Sequence, residues 1–404
     1  MVRTAQEDAG TDAILRTLAA LFFAGVATFA QLYAPQSLLA PIAMDFVVDP
    51  AKAALVVSVA TVAVGASVVP WAYVAGRIGR VRAMSISVAS AAGLGALVPF
   101  APTFEILLAC RAMEGAALGA IPAVAMAYLA EEIRAAHSPR AAGAYVAGTT
   151  LGGLAGRAIA GPIAEAADWR LGMLVVSAVC AGSALCFIAL VPRPATPVPL
   201  PETKFGERFR SVLVRPWFLM ACVHGFLLAG AFVAMFNYLG FHLEAPPMEV
   251  SAAVVSALYF TYLAGTWSSA RVGRWVVRHG RRRLLSASLL TMAAGVVLTV
   301  PPWLPTIIVG LAAVAAGFFA ANALVAGWVP TMAPEAGGEA SALYTLSTYL
   351  GSSVLGWAVG VVFAAWGWVG AAAALVALVA LAALAMVRAR LDADPAPLRR
   401  ELPR

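Results

Sequence analysis

Charged side chains are scarce in this 404-residue chain, because Asp, Glu, Lys and Arg together make up only 12% of it. A soluble protein contains about 25% charged and ~45–50% apolar residues, whereas 62% of this sequence is hydrophobic. Too few polar residues are present to cover the surface of soluble domains with this total length. The shortage of charge therefore excludes a soluble protein and indicates a chain that is solvated by lipid.

Cysteine and histidine are also rare, with four residues of each. The cysteines lie inside apolar stretches without metal-ligand spacing, so we interpret them as packing residues and not as a disulfide framework. The histidines have no ligand spacing, no Gly-x-x-x-x-Gly-Lys phosphate-binding loop occurs, and no Ser–His–Asp arrangement can be argued. We therefore expect no enzyme, metal site or cofactor, and a proton gradient as the energy source.

The apolar residues are concentrated in twelve runs, each close to the ~20 residues that a helix needs to cross a bilayer. The one long polar connection, residues 192–215, is rich in proline like a semi-rigid spacer and has six runs on each side. We predict an all-α membrane protein of twelve transmembrane helices in two pseudo-symmetric six-helix bundles, residues 1–191 and 216–404, joined by a cytoplasmic linker. The runs are 17–40, 53–75, 83–101, 104–130, 141–163, 169–191, 216–240, 251–272, 283–301, 304–329, 340–362 and 365–388.

Basic residues are distributed unevenly between the two sides of the predicted membrane domain. The termini, the linker and the loops on their side carry 23 Lys and Arg residues, whereas the opposite loops carry only Lys52 and Arg170. Because basic loops stay in the cytoplasm, we predict that both termini are cytoplasmic. The net charge of +7 is then a topology signal. We expect a lipid bilayer and a small-molecule substrate as partners, and no nucleic acid.

The two halves of the chain share several features in the same order. The loop after the second run contains Arg-x-Gly-Arg at positions 77–80, and the loop after the eighth run repeats it 201 residues later, at 278–281. In each half, acidic residues precede a glycine-rich fifth run, and a proline turn joins the third and fourth runs. Parallel repeats are a transporter architecture in which the substrate site lies between the repeats near the bilayer midplane.

This arrangement resembles the major facilitator superfamily over residues 17–388. The family's loop signature, Gly-x-x-x-Asp-Arg-x-Gly-Arg-Arg, is matched in part by both Arg-x-Gly-Arg loops, and Arg111, Glu114 and Gly115 match its helix-4 motif Arg-x-x-Gln-Gly with Glu in place of Gln. Strings at 128–133, 152–157, 225–230 with 236–238, and 265–269 are similar to the acriflavin-sensitivity branch of bacterial drug–proton antiporters. The resemblance implies a monomeric antiporter of the bacterial inner membrane, with efflux of drugs and drug resistance as its expected role.

The resemblance also implies a gate on the cytoplasmic side, with one departure from the family. The signature Asp, which helps to hold that gate shut, is Gly76 in the first loop and Val277 in the second. We hypothesise that acids at the ends of helices 4 and 10 supply the charge, in partly solvated pairs worth about 1 kcal/mol each. The alternative is that the arginines only anchor the topology. The predicted gate residues are Arg77, Arg80, Glu131, Glu132, Arg278, Arg281 and Glu335.

Ionisable residues inside the predicted helices mark functional sites, because each costs at least ~2.5–3.5 kcal/mol to insert into a bilayer. Arg111 and Glu114 lie three positions apart on one helix face and can form an ion pair. The resemblance gives Arg111 a role in proton coupling, and we predict Glu114 and His224 as protonatable groups. A static pair that merely allows Arg111 to be inserted is the alternative.

Polar residues in the runs that would line the cavity are the candidates for substrate binding. Arg157 has no acid within four positions, so its partner is another helix or the substrate. If it faces the cavity it favours an anionic or carboxylate substrate, and an Arg with a purely structural role is the alternative. The predicted cavity residues are Gln31, Tyr33, Arg157, Asn237, Tyr238, Tyr262 and Asn322.

These features together predict a secondary active transporter that works by alternating access. Proton-coupled efflux of small organic or drug-like compounds is the leading interpretation. An organic-anion or sugar exporter or uniporter is the alternative, because of Arg157. A membrane enzyme agrees less well with the sequence, since no ordered polar catalytic cluster is present. A passive channel is a further alternative, which saturable transport that depends on the proton gradient would exclude.

Overall fold

A computed structural model describes residues 2–132, 138–192, 210–333 and 336–388. Within these ranges the regular structure consists of α-helices and short 3₁₀ turns. A bilayer offers no hydrogen-bond partner to a free backbone N–H or C=O group, so an apolar chain satisfies these groups inside helices. The prediction of an all-α membrane protein is confirmed.

The helices of the first half form six membrane segments. In segment 1, the 3₁₀ turn Ala34–Leu38 separates two helices, and in segment 4 two helices meet at Gly119. Segments 2, 3, 5 and 6 are single helices. In chain order the helices are α1 (Val2–Tyr33), α2 (Leu39–Phe46), α3 (Pro50–Ile78), α4 (Arg80–Leu97), α5 (Phe104–Leu118), α6 (Ala120–Glu132), α7 (Ser138–Ala166) and α8 (Trp169–Leu190).

The second half repeats this plan, with segment 8 divided into three short helices and segments 11 and 12 merged. The merged helix bends at Gly367, whose φ of 60° is readily adopted by glycine because it has no Cβ atom. In chain order the helices are α9 (Pro216–Glu244), α10 (Ala252–Leu258), α11 (Tyr262–Ser269), α12 (Val272–His279), α13 (Arg281–Leu298), α14 (Leu304–Trp328) and α15 (Gly337–Arg388).

Eight helical units of the described residues are long and apolar enough to cross a membrane one by one. The kinked α15 is one of these units and supplies two crossings. The glycine-rich α7, the divided segment 8 and the arginine-capped α13 are less apolar or less continuous and complete the set of twelve. The chain therefore has the predicted architecture of twelve transmembrane segments in two bundles.

The backbone of the two Arg-x-Gly-Arg turns shows that the repeat in the sequence is a structural repeat. Gly79 ends α3 with φ 93° and ψ 145°, and Gly280 ends α12 with φ 79° and ψ 154°. Both φ values lie in the region that favours glycine. We call the side of the molecule that carries these two turns the basic side, and the opposite side the outer side.

Glycines also set the packing of the first and fifth segments in each bundle. A Cβ atom at Gly148 would collide with the backbone of Phe22, and one at Gly351 would collide with the backbone of Phe226. Small residues allow this close approach of helices, which is the main source of helix association where lipid removes the hydrophobic driving force. Each bundle therefore contains the same close contact between its first and fifth segments, in addition to the same turn.

The two bundles meet along α3 with α15 and along α7 with α10. Ser353 Oγ donates a hydrogen bond to the carbonyl of Ser58 (2.6 Å), and the backbone N–H of Ala253 donates to a Glu165 carboxylate oxygen (2.7 Å). Ser58 and Ala253 follow the outer starts of their helices, and Glu165 precedes the outer end of α7. These contacts therefore join the bundles on the outer side.

Candidate functional site

A cavity of about 290 Å³ lies between the bundles, near the middle of the helices. Segments 1 and 5 of the first bundle and segments 7, 8, 10 and 11 of the second contribute to its wall. The lining residues are Phe29, Tyr33, Thr149, Thr150, Gly153, Arg157, Ala229, Phe232, Val233, Tyr262, Phe318, Phe319, Asn322, Ala326, Tyr344, Thr345, Thr348, Tyr349 and Ser352.

Arg157, on α7, is the charged residue of this wall and is only 3% exposed. Its Nε atom donates to Gln36 Oε1 (2.8 Å), and its Nη1 atom donates to the carbonyl of Gly153 one turn earlier (2.6 Å). Among the described residues, no acceptor engages Nη2 and no carboxylate lies within ion-pair distance of the guanidinium. The side chain is therefore fixed in orientation without having its charge neutralised.

Three tyrosine rings surround the Arg157 guanidinium. Its Cζ atom lies 4.6 Å from the centroid of Tyr33 and 5.0 Å from those of Tyr259 and Tyr262. Cation–π contacts stabilise an arginine by about 0.5 to 2 kcal/mol each, depending on its desolvation. The rings hold the cation at bilayer depth while leaving the cavity with a positive charge.

Next to this tyrosine cage lies a wall of phenylalanine rings. Phe232 stacks on Phe318 with centroids 3.9 Å apart and planes 9° from parallel, and Phe319 meets Phe232 edge-on at 5.6 Å. Phe232 also lies 5.2 Å from the ring of Tyr262, so the aromatic wall is continuous with the cage. Such a surface suits a flat apolar part of a ligand.

Hydroxyl and amide groups occupy the rest of the cavity wall. Asn322 Oδ1 accepts a hydrogen bond from the Tyr344 hydroxyl (3.1 Å). The hydroxyls of Thr150 and Thr345 donate to carbonyls one turn earlier in their own helices. The threonine protons are thus already used, and their oxygen lone pairs remain for a ligand donor.

Arg111 and Glu114 form an ion pair that is fully buried inside the first bundle, away from the cavity wall. Arg111 also donates to the carbonyls of Leu32 (2.7 Å), Val56 (3.1 Å) and Gln31 (3.2 Å). The pair therefore ties α5 to the backbones of α1 and α3. The expected pairing of the two residues is present, and the structure by itself leaves its role in proton coupling a prediction.

Four of the seven predicted cavity residues, Tyr33, Arg157, Tyr262 and Asn322, lie in the cavity wall. The other three point between helices. Gln31 donates to the carbonyl of Ala91 (2.9 Å), the Tyr238 hydroxyl donates to the carbonyl of Gly356 (2.7 Å), and Asn237 bonds to Gln36. His224 is likewise buried away from the cavity, with Nδ1 3.0 Å from the carbonyl of Ala382.

The arginines predicted for the gate lie at the basic side. Arg77 is exposed and stacks on Tyr73 at 4.5 Å, and Arg281 lies 5.8 Å from the ring of Trp328. Arg80 begins α4, and Arg278 is exposed on α12. Glu335 and the side chains of Glu131 and Glu132 lie outside the described part of the structure. The proposed replacement of the signature Asp therefore stays a prediction.

Gln36 is one of the residues of the site that sequence reasoning did not assign. It lies in the 3₁₀ turn between α1 and α2, accepts from Arg157, and donates to Asn237 Oδ1 (2.7 Å) and to the carbonyl of Val233 (3.2 Å) in the other bundle. The available signal was Pro35 beside the polar Gln36 in an apolar run. A proline there interrupts the helix, and an interrupted helix in a membrane protein lies against a cavity or the protein interior. Gln36 thus connects the cavity's cation to the outer contact between bundles.

Comparisons with known proteins agree with this architecture. The sequence profile of the Major Facilitator Superfamily matches residues 21–276 and 249–404. The uncharacterized MFS-type transporter YybF of Bacillus subtilis is 33% identical over 363 residues, which cover 89% of this chain and 90% of YybF. The inner membrane transport protein YnfM of Escherichia coli is 35% identical over 367 residues, which cover 90% of this chain and 88% of YnfM.

Two solved structures share the fold at low sequence identity. The nucleoside transporter NupG superposes with a TM-score of 0.78 at 12% identity, over 94% of this chain and all of NupG. An inward-facing, unoccupied bacterial homolog of the human lysosomal transporter Spinster gives 0.73 at 17% identity, over 93% of this chain and 95% of the homolog. The profile match and the two bacterial relatives establish that this chain belongs to the Major Facilitator Superfamily and is a multi-pass membrane transporter, not an enzyme.

Proposed function

We propose that this chain is a secondary active transporter that exports small organic compounds from the bacterial cytoplasm by alternating access, driven by protons. The observation that carries the proposal is the central cavity, whose wall is built by both bundles. Two bodies that touch on one side leave a site between them accessible from the opposite side. When the bodies rock about the site, the closed side opens and the open side closes. Transport of a compound through such a site needs no cofactor.

The orientation of the molecule gives a cytoplasmic compound access to the cavity in this state, as efflux requires. With the basic side in the cytoplasm, as the distribution of Arg and Lys indicates, the outer contacts separate the cavity from the periplasm. The cavity reaches Ala326 and Tyr344, which lie in the basic-side halves of α14 and α15. A cytoplasmic compound would enter by this route. In this proposal the two bundles, residues 1–191 and 216–404, are the bodies that move, and residues 192–215 are the cytoplasmic linker between them.

The buried pair of Arg111 and Glu114 supports proton coupling. Protonation of Glu114 would leave the Arg111 charge without its counter-ion inside the bundle, where an unpaired charge is strongly unfavourable. Arg111 holds three backbone carbonyls of α1 and α3. A proton on Glu114 would therefore bias the packing of segments that line or flank the cavity.

The test is transport in proteoliposomes with an imposed pH gradient. Ethidium, naphthalene-2-sulfonate and glucose serve as cationic, anionic and neutral probes. We expect the wild type to accumulate at least one of them against its gradient, and Glu114→Gln to equilibrate it only. Glu105→Gln is the matched control, since Glu105 lies exposed in the first turn of the same helix.

Two results would contradict the proposal. Uptake that continues unchanged after the pH gradient is collapsed would indicate a uniporter or a passive channel. If Glu114→Gln still concentrates the probe, Glu114 is not the coupling group and the ion pair is structural.

A further inference from the structure

The charged residues in the cavity wall distinguish between classes of substrate. The described lining residues include one cation, Arg157, and no carboxylate. A cationic drug entering this space would meet repulsion without a compensating acid. A neutral sugar would meet aromatic faces and threonine hydroxyls whose protons already bond to their own helices, and it would leave the charge of Arg157 without a counter-ion. An anion is the ligand whose charge this wall complements.

The hydrogen bonds of Arg157 leave one position for that anion. Nε and Nη1 are engaged by Gln36 and Gly153, so the remaining Nη2 edge is available to an acceptor. Because the guanidinium is already held by two protein acceptors and by the tyrosine rings, little orientational freedom is lost when a ligand binds. A single cation balances a single negative charge, which favours a monoanion such as a carboxylate or sulfonate over a dianionic phosphate.

The remainder of the cavity indicates what the anionic group is attached to. Phe232, Phe318 and Phe319 form a wall beside the cage, and Phe29 adds a further ring. The volume of about 290 Å³ is at the lower limit of ligand pockets, which span ~300–1,000 Å³. A body of one or two fused rings fits such a space.

We propose, on the basis of the transport function above, that the substrate is an aromatic organic monoanion whose acidic group pairs with Arg157 and whose rings pack against Phe232 and its neighbours. Arg157 is then the residue that determines charge specificity. Gln36 is a positioning residue, because it acts by orienting the guanidinium.

The first test needs no substitution and measures binding to the purified wild-type protein by calorimetry. Three probes of one shape are compared: naphthalene-2-sulfonate, the neutral naphthalene-2-sulfonamide and the cationic 2-naphthylmethylammonium. We expect the sulfonate to bind ~10- to 100-fold more tightly than the sulfonamide, as is usual for a charge-assisted hydrogen bond in a buried site. The ammonium should bind most weakly. Equal affinity for the three probes would overturn the proposal.

The second test assigns the charge selectivity to one residue. In Arg157→Gln, naphthalene-2-sulfonate should lose ~10- to 100-fold in affinity, while the sulfonamide, whose neutral oxygens accept a weaker hydrogen bond, should lose no more than ~2- to 10-fold. Arg157→Lys keeps the positive charge but lacks the planar guanidinium, so its affinity for the sulfonate should be intermediate. The matched control is Arg170→Gln, since Arg170 also lies over an aromatic ring, Trp169, but is partly exposed outside the cavity. An unchanged sulfonate affinity in a folded Arg157→Gln protein would overturn the assignment.

The binding assay and the transport assay separate this inference from the function on which it rests. Selective binding of the sulfonate without movement across the liposome membrane would refute the transport function and leave the ligand class intact. Gradient-driven movement of ethidium or glucose that is unaffected by Arg157→Gln would support the transport function and refute the proposed ligand class.

Discussion

The bond between Gln36 and Asn237 gives the sharpest prediction about alternating access. Gln36 Nε2 donates to Asn237 Oδ1 (2.7 Å) and to the carbonyl of Val233 (3.2 Å), both on α9 of the other bundle. Both residues are almost completely buried on the outer side of the cavity. When the bundles separate on that side, these two bonds must break.

The structure sets the size of the effect of Gln36→Leu. Each intramolecular hydrogen bond contributes about 0.5–1.5 kcal/mol net, so the two bonds across the interface stabilise the state with the outer side closed by about 1–3 kcal/mol. Since ~1.4 kcal/mol is a tenfold change, the substitution should shift the equilibrium toward outer opening by ~5- to 150-fold. Asn237 also loses a partner in the closed state, which increases the shift. The bond of Gln36 to Arg157 lies within the first bundle, so its loss affects both states and does not contribute.

A cysteine at position 58 in a cysteine-free background reports the opening. The Ser58 hydroxyl is buried at the interface with α15 and has no hydrogen-bond partner among the described residues, so Ser58→Cys removes no bond. We expect Gln36→Leu to accelerate alkylation of this cysteine by a membrane-impermeant maleimide added on the outer side. The rate should rise in proportion to the open population.

The matched control is Gln31→Leu. Gln31 is an equally buried glutamine on α1, but its side-chain interactions, with the carbonyl of Ala91 and with the Glu114 carboxylate, stay within one bundle. The Gln31→Leu substitution should therefore leave the alkylation rate near that of the wild type. An unchanged rate in Gln36→Leu, or the same increase in Gln31→Leu, would refute the reasoning.

Two further predictions concern stability, measured as thermal unfolding in detergent. Gly351→Ala should destabilise the protein by about 1–3 kcal/mol, because the new methyl group meets the backbone of Phe226, whereas Gly182→Ala, with open space around it, should be neutral or slightly stabilising. A similar melting temperature for the two variants would contradict the packing argument. Arg111→Gln should cost about 3–5 kcal/mol because it leaves Glu114 buried without its partner, and adding Glu114→Gln should recover much of the loss. Equal stability of the single and double variants would show that the ion pair is not the cause.

Part of the site was predictable from the sequence because intramembrane charge is rare and needs a partner. Arg111 and Glu114 at positions i and i+3 pair as expected, and the lack of an acid near Arg157 corresponds to its position in the cavity wall. Gln31 and Tyr238 had the same polar character as Tyr33, yet both bond to backbone carbonyls between helices. A polar side chain in lipid can be satisfied by a ligand or by a neighbouring backbone, and its sequence context does not distinguish the two.

The sequence by itself determined the number of segments and the repeat, because a bilayer requires each crossing to be a long apolar stretch and because Gly79 and Gly280 mark equivalent turns. Only the tertiary structure decided which face of each helix meets the cavity. Lipid tails and the protein interior are both apolar, so these helices carry little of the periodicity that orients a helix in a soluble protein. The same holds for the chain of bonds from Arg157 through Gln36 to Asn237, which joins three segments that are distant in the sequence and meet only where the bundles pack.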